Sequence, residues 1–403
     1  MPELVALALP GGPAFVDALR RTWDDGDAVL PLDPFAPAAH AARVLAAMAP
    51  GAVVEADGER RSLPDGRPVE PGDAVVITTS GTTGEPKGAV HTHHGVEHAA
   101  FVTATALGID ADVRWLACLP LAHVGGFSVI TRALATGAGL EVHPTADADA
   151  IDAAARSGAT HVSLVPTLLR RIHPARWPLI LLGGSAAPAA RPANTVAPYG
   201  MPETFGGVVY DGLALNTVAV RVGGGDVVVE PGEPGPIELS SPTLLRCYRD
   251  GTDPVVRGWY RTGDLGVLDA ATGRLTVHGR ADDLIITGGE KVWPGPVEDL
   301  LLDDPAVAEV AVVGRPDPEW GERVVAVVVA ADPAAPPTLE DLRRRVRERL
   351  PVAAAPKGVE LVDSLPRTAI GKIARQALRG AGPSDAAGPG AGTTGAADGS
   401  RAR

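Results

Sequence analysis

Val75-Val76-Ile77-Thr78-Thr79-Ser80-Gly81-Thr82-Thr83-Gly84-Glu85-Pro86-Lys87-Gly88 is the stretch on which the fold and the chemistry turn. A short apolar run, strand-like, feeds a loop made of hydroxyls, glycines and one lysine. Glycines let the backbone fold so that several N–H groups face one anion. The Ser and Thr hydroxyls add donors and Lys87 adds a positive charge, a set suited to a triphosphate. The loop is not a Walker loop. That motif has Gly, four residues, then Gly-Lys-Ser/Thr, and here the spacing fails and Pro86 precedes the lysine.

Outward from this loop, short apolar runs alternate with helical stretches. Residues 161–165 form a strand that passes through Pro166 into a helical segment ending near Ile172, and Leu179–Leu182 ends in Gly183-Gly184. Buried strands alternating with helices predict an α/β core with a mostly parallel sheet, whose strand-end loops are the usual ligand sites. Residues 1–70 read as mixed helix and loop, with breaks at Pro31, Pro34 and Pro37 and a helix over Ala38–Met48. From 215 to 268 the runs 218–222, 226–230 and 236–239, cut by Gly and Pro, read as a small β-rich unit. Beyond Asp282 the pattern is α+β: a helix over 297–302, strands over 307–313 and 323–329, and an amphipathic helix over 338–350. Thr338 is its N-cap, and Leu339, Leu342, Val346 and Leu350 lie on one face. The expected organisation is a large N-terminal domain, 1–281, a small mobile α+β domain, 282–379, and a tail, 380–403. That tail is too poor in apolar bulk to repay its ordering entropy.

The chain has 403 residues and a formal net charge of -13, so a dedicated nucleic-acid partner is not expected. Two cysteines, Cys118 and Cys247, make neither a disulfide framework nor a metal site. No apolar run is long enough to span a membrane, and no secretory signal is visible. The expected compartment is the cytoplasm.

Further strings follow in order: Leu182-Gly183-Gly184-Ser185-Ala186, Tyr199-Gly200-Met201-Pro202-Glu203-Thr204, Trp259-Tyr260-Arg261-Thr262-Gly263-Asp264, Gly279-Arg280-Ala281-Asp282-Asp283, Ile285-Ile286-Thr287-Gly288-Gly289-Glu290 and Pro366-Arg367-Thr368-Ala369-Ile370-Gly371-Lys372. With the 78–88 loop they resemble the signatures of the adenylate-forming superfamily, which contains acyl-CoA synthetases, firefly-type luciferases and peptide-synthetase adenylation domains. The resemblance spans residues 70–379, and the first seventy residues are shorter than the family's usual leader, so part of its N-terminal structure is expected to be absent.

The resemblance implies an enzyme that uses ATP, Mg2+ and CoA. Thr79, Ser80, Gly81, Thr82, Thr83, Gly84 and Lys87 would hold phosphate. Gly183, Gly184 and Ser185 would lie along adenine, with Tyr199 stacked on it beside Gly200. Glu203 would hold the magnesium, a hard cation that wants carboxylate oxygen. The family threonine that contacts phosphate is Pro202 here, so one phosphate hydrogen bond is expected to be lost or to move to Thr204. Asp264 would accept from the ribose hydroxyls, and Arg280 would reach ribose or phosphate. Asp282 would be the hinge, Gly288 and Gly289 would border the pantetheine tunnel, and Lys372 would bridge the attacking carboxylate and the α-phosphate.

The acid is read from two residues. Pro120-Leu121-Ala122-His123 resembles the acyl-pocket segment, with His123 as its gate. Arg132 stands in a largely apolar helical stretch, and a buried arginine wants an anion such as a second substrate carboxylate. Together with Val209-Tyr210-Asp211-Gly212 these resemble the o-succinylbenzoate–CoA ligases of menaquinone biosynthesis, especially the compact actinobacterial forms. The expected partners are a small-molecule carboxylic acid, ATP and CoA, with a homodimer as the candidate assembly. The alternatives are a CoA ligase for another aryl or medium-chain acid, and a degenerate nucleotide-binding regulatory protein, suggested by Pro202. A peptide-synthetase module is disfavoured because no carrier domain is visible.

Overall fold

A computed structural model describes residues 1–80, 85–184, 190–224, 229, 232–367 and 373–380. The chain divides into two units, Met1–Asp282 and Asp283–Arg403.

The N-terminal residues depart from their reading as helix and loop. Leu4–Leu7, Ala28–Pro31 and Ala52–Val54 are strands, and they pair in parallel at the heart of a seven-stranded sheet. Its order is Cys247–Tyr248, Pro86–Thr92, Asp73–Ser80, Ala28–Pro31, Leu4–Leu7, Ala52–Val54, Arg60–Ser62. Leu4, Val5, Ala6 and Leu7 are all fully buried, so both faces of the strand are covered and no period-2 alternation survives in the sequence. Helices Pro13–Asp24 and Ala38–Met48 cover it, the second within the predicted bounds.

A second sheet is parallel throughout, in the order Thr195–Val196, Leu179–Leu182, His161–Leu164, Arg114–Ala117, Gly139–Val142. Helix Val124–Thr136 packs Phe127, Val129 and Ile130 into the core that also holds Trp115, Phe15 and Phe205. A three-stranded meander and a five-stranded antiparallel sheet complete the first unit, as the β-rich reading of 215–268 expects; most of the 226–230 run lies outside the described residues. The fold class is therefore α/β, with mostly parallel sheets and an antiparallel addition.

In the second unit, strands Val307–Asp317 and Gly321–Ala330 pair along their whole length, and helices Pro294–Leu302 and Leu339–Arg347 pack Val297, Leu301, Leu342 and Val346 against them. The Thr338 hydroxyl accepts from the Asp341 N–H at 3.2 Å, the expected cap.

Candidate active site

The phosphate-loop candidate is a β-hairpin. Asp73–Ser80 pairs with Pro86–Thr92, placing Thr79 opposite Lys87 and Ser80 opposite Pro86. Gly81, Thr82, Thr83 and Gly84, at its tip, lie outside the described residues. Pro86 opens the returning strand, and Lys87 is exposed, its Nζ 5.3 Å from the centroid of the Tyr248 ring.

Glu203 is buried in the short helical turn Pro202–Thr204, and its Oε1 accepts a hydrogen bond from the Tyr248 hydroxyl at 2.9 Å. Pro202 is the first residue of that turn, where a missing N–H costs little. Its carbonyl is 2.7 Å from His91 Nε2, so the ring carries its proton there and donates. His91 is fully buried, and burial lowers its pKa to about 4, so it is neutral at neutral pH. Proline at position 202 is therefore compatible with the turn.

Thr204 does not take over the phosphate contact expected of it. Its side chain is wholly buried, its hydroxyl accepts from the Met201 N–H at 2.9 Å, and it lies 2.7 Å from the Gly206 carbonyl, to which it donates. It locks the backbone around Glu203. Gly200 is equally structural: a Cβ there would fall 1.9 Å from the Gly206 carbonyl oxygen, so only glycine allows the two chains to approach.

Three nucleoside candidates come together. The Tyr199 hydroxyl donates to Asp264 Oδ2 at 2.8 Å. Asp264 is buried and faces Arg280 across the ladder of Trp259–Leu268 and Leu275–Arg280, with the guanidinium 3.7 Å from Oδ1 and donating to the Thr262 carbonyl at 3.1 Å. Burial and the Asp264 charge push the Tyr199 phenol pKa upward, so the tyrosine stays protonated and Asp264 remains the acceptor. Gly183 and Gly184 follow strand Leu179–Leu182; Ser185 lies outside the described residues.

On the acyl side, His123 caps the N-terminus of helix Val124–Thr136, its carbonyl accepting from the Phe127 N–H at 2.9 Å. Two turns on, Arg132 is 6 % exposed, its guanidinium carbon 4.7 Å from the centroid of the Trp115 ring. Nη1 has no hydrogen-bond partner, and no carboxylate pairs with the side chain among the described residues. With Arg132, residues Thr103, Ser128, Thr131, Phe205 and Gly207 line a small cavity of about 10 Å³, and burial lowers the arginine's pKa. A buried cation with an idle N–H is costly, and a carboxylate oxygen would repay it.

In the second unit, Gly288 and Gly289 form the turn between strands Ile285–Thr287 and Glu290–Val292 with φ of +59° and +86°. A Cβ on Gly288 would meet the Trp320 ring at 2.8 Å, so the turn needs glycine for its backbone and its space. Asp282 lies in the short turn Ala281–Asp283, while Lys372 falls outside the described residues. Sequence reading missed Tyr248, His91 and Trp320. None sits in a string with a chemical signature, and the two-residue strand Cys247–Tyr248 is too short to show periodicity.

Among the described residues no cluster of three or more His, Cys, Asp or Glu could hold a metal. A single buried carboxylate such as Glu203 is compatible with magnesium, which is commonly held by one or two carboxylates, substrate phosphates and water.

A hydroxyl- and lysine-bearing hairpin, a buried acid beside it and a Tyr–Asp–Arg cradle define a nucleotide-binding α/β enzyme. Residues 43–249 match the AMP-binding enzyme family and residues 296–372 match the AMP-binding enzyme C-terminal domain. The chain belongs to the AMP-binding enzyme family. It is similar to the probable 2-succinylbenzoate–CoA ligase of Mycobacterium tuberculosis, at 39 % identity over 79 % of this chain and 88 % of the relative. The solved o-succinylbenzoate CoA synthetase of Bacillus subtilis, in complex with its acyl-adenylate intermediate, superposes with a TM-score of 0.83 at 27 % identity, covering 94 % of this chain and 88 % of that one. The same synthetase with ATP and magnesium ion gives 0.82 at 27 %, over 93 % and 89 %.

Proposed function

We infer that the chain is an ATP-dependent acid–CoA ligase whose acid is 2-succinylbenzoate. The observation that carries the choice of acid is Arg132, a buried guanidinium with an unpaired N–H among the described residues. An aromatic acid with an aliphatic second carboxylate supplies the missing partner, and the similar proteins named above act on such an acid.

The reaction proceeds in two displacements. A carboxylate oxygen of the acid attacks the α-phosphorus of ATP, and the bond to pyrophosphate breaks. The CoA sulfur then attacks the acyl carbonyl, loses its proton, and the bond to AMP breaks. Crowding an attacking anion against a polyphosphate requires fixed positive charge and aimed donors. Lys87 and the Thr79–Ser80 strand end supply these at the phosphates, Asp264 and Tyr199 orient the nucleoside, and Glu203 would hold the magnesium, whose charge would screen the phosphates. His123 gates the acid, Lys372 assists the first displacement, and the Gly288–Gly289 turn admits the pantetheine arm for the second, with Asp282 as hinge. The cytoplasm, where ATP and CoA are at hand, is the compartment this reaction calls for; no helix among the described residues is long and apolar enough to cross a membrane.

Turnover with a panel of aryl monoacids, aryl diacids and medium-chain acids, with and without CoA, tests this. CoA-dependent AMP formation highest with 2-succinylbenzoate is expected. Equal turnover of benzoate or a fatty acid would refute the assignment of the acid.

A further inference from the structure

We propose that Tyr248 is a positioning residue for the adenylation step, orienting the Glu203 carboxylate through its hydroxyl and Lys87 through its ring. The proposal rests on the reading that Glu203 takes the metal, and it goes further by naming what aims that carboxylate.

Several contacts converge on this segment. Cys247–Tyr248 pairs antiparallel with the strand that bears Lys87, Tyr248 standing opposite Ala89. Lys87, two residues from Ala89, is thus a diagonal neighbour on the same face, which brings its Nζ 5.3 Å from the ring centroid. The hydroxyl donates to Glu203 Oε1 at 2.9 Å, and the Leu245 N–H, three residues earlier, donates to the Glu203 backbone carbonyl at 2.8 Å. One segment therefore grips the glutamate by backbone and side chain. The ring is set against Ala89, Leu245 and Tyr260, so the phenol is held by packing.

A phenol suits the task better than a cation would. It is a neutral donor and occupies one lone-pair direction of one oxygen, leaving the carboxylate its negative charge. An arginine or lysine in its place would neutralise the acid and repel an incoming cation. Among the described residues Tyr248 is the one side chain that donates a hydrogen bond to Glu203. Without it the carboxylate would regain rotamer freedom that metal binding must then remove.

The test is Tyr248→Phe, which keeps the ring and deletes the hydroxyl. Mn2+ binding to the full chain, followed by electron paramagnetic resonance with ATP present, is expected to weaken roughly tenfold, the scale of one hydrogen bond to a charged group. Metal-free ATP binding is expected to stay unchanged, while the melting midpoint falls slightly because the buried Glu203 carboxylate loses a donor. Tyr248→Leu removes the ring face as well, and metal-free ATP binding is then expected to weaken too. Wild-type Mn2+ affinity in Tyr248→Phe, with Mn2+ binding weakened in Glu203→Gln, would overturn the positioning role alone. Wild-type affinity in Glu203→Gln would overturn the metal reading, and the proposal with it.

Discussion

Arg132→Met separates a specificity role from a structural one, because the two predict opposite signs in stability. The guanidinium is 6 % exposed, lies over Trp115, and leaves Nη1 without a partner among the described residues. A buried polar group without a partner costs about 1–3 kcal/mol. Methionine fills a similar volume without that cost, but forfeits a cation–π contact of about 0.5–2 kcal/mol. The net effect is a gain near 1 kcal/mol, or a rise in melting midpoint of roughly 2 °C for a domain of this size. Catalysis moves the other way. Removing one partner of a buried, hydrogen-bonded charge pair costs about 2–5 kcal/mol, and a mid-value of about 3 kcal/mol is roughly 150-fold in kcat/KM. The loss is expected for diacids and absent for monoacids of the same ring. Steady-state kinetics on a matched diacid and monoacid, beside a thermal melt, gives both readouts. A lowered midpoint with equal losses on the two acids would refute the reasoning and make Arg132 a core residue.

Asp264→Asn removes the charged acceptor of the nucleoside cradle, and ATP affinity, read by calorimetry, is expected to fall roughly tenfold to hundredfold. Thr204→Val strips the hydroxyl that satisfies the Met201 N–H and is expected to cost about 1 kcal/mol in urea unfolding, because that part-buried donor is left without its partner. His91, lowered by burial from 6.5 to about 4, binds its proton more weakly folded than unfolded. Its contribution is complete above pH 6.5 and is lost as pH falls toward 4, by about 3 kcal/mol in all. A His91→Gln variant should lose that part of the slope in stability between pH 7 and 4.

What the sequence disclosed depended on local signal strength. Leu179–Leu182 ends where its own Gly-Gly says it must, and Thr338 caps its helix because cap chemistry is local. Leu4–Leu7 and Ala52–Val54 were illegible as strands. Four or three residues buried on both faces carry no periodicity, and the pairing that stabilises them comes from elsewhere in the chain. The site divides in the same way. Glu203, Asp264 and Arg280 sit in ordered strings, and the structure brings Asp264, Arg280 and Tyr199 together. Tyr248 earns its place only through a register with Ala89 across the sheet, which no spacing in the chain reveals. Thr204 had the right chemistry for phosphate, but it spends its hydroxyl on its own backbone, a use that becomes visible only with the turn in hand.

Formation of an enzyme-bound acyl-adenylate before any thiol is present is the claim on which the rest depends. Rapid quench of the protein with ATP, magnesium and 2-succinylbenzoate, without CoA, followed by mass spectrometry, measures it directly. The account predicts one burst of acyl-AMP and pyrophosphate, near stoichiometric with enzyme, discharged to acyl-CoA and AMP when CoA is added. Pyrophosphate release that needs CoA, or product formation with no acid–AMP conjugate at any time, would contradict it.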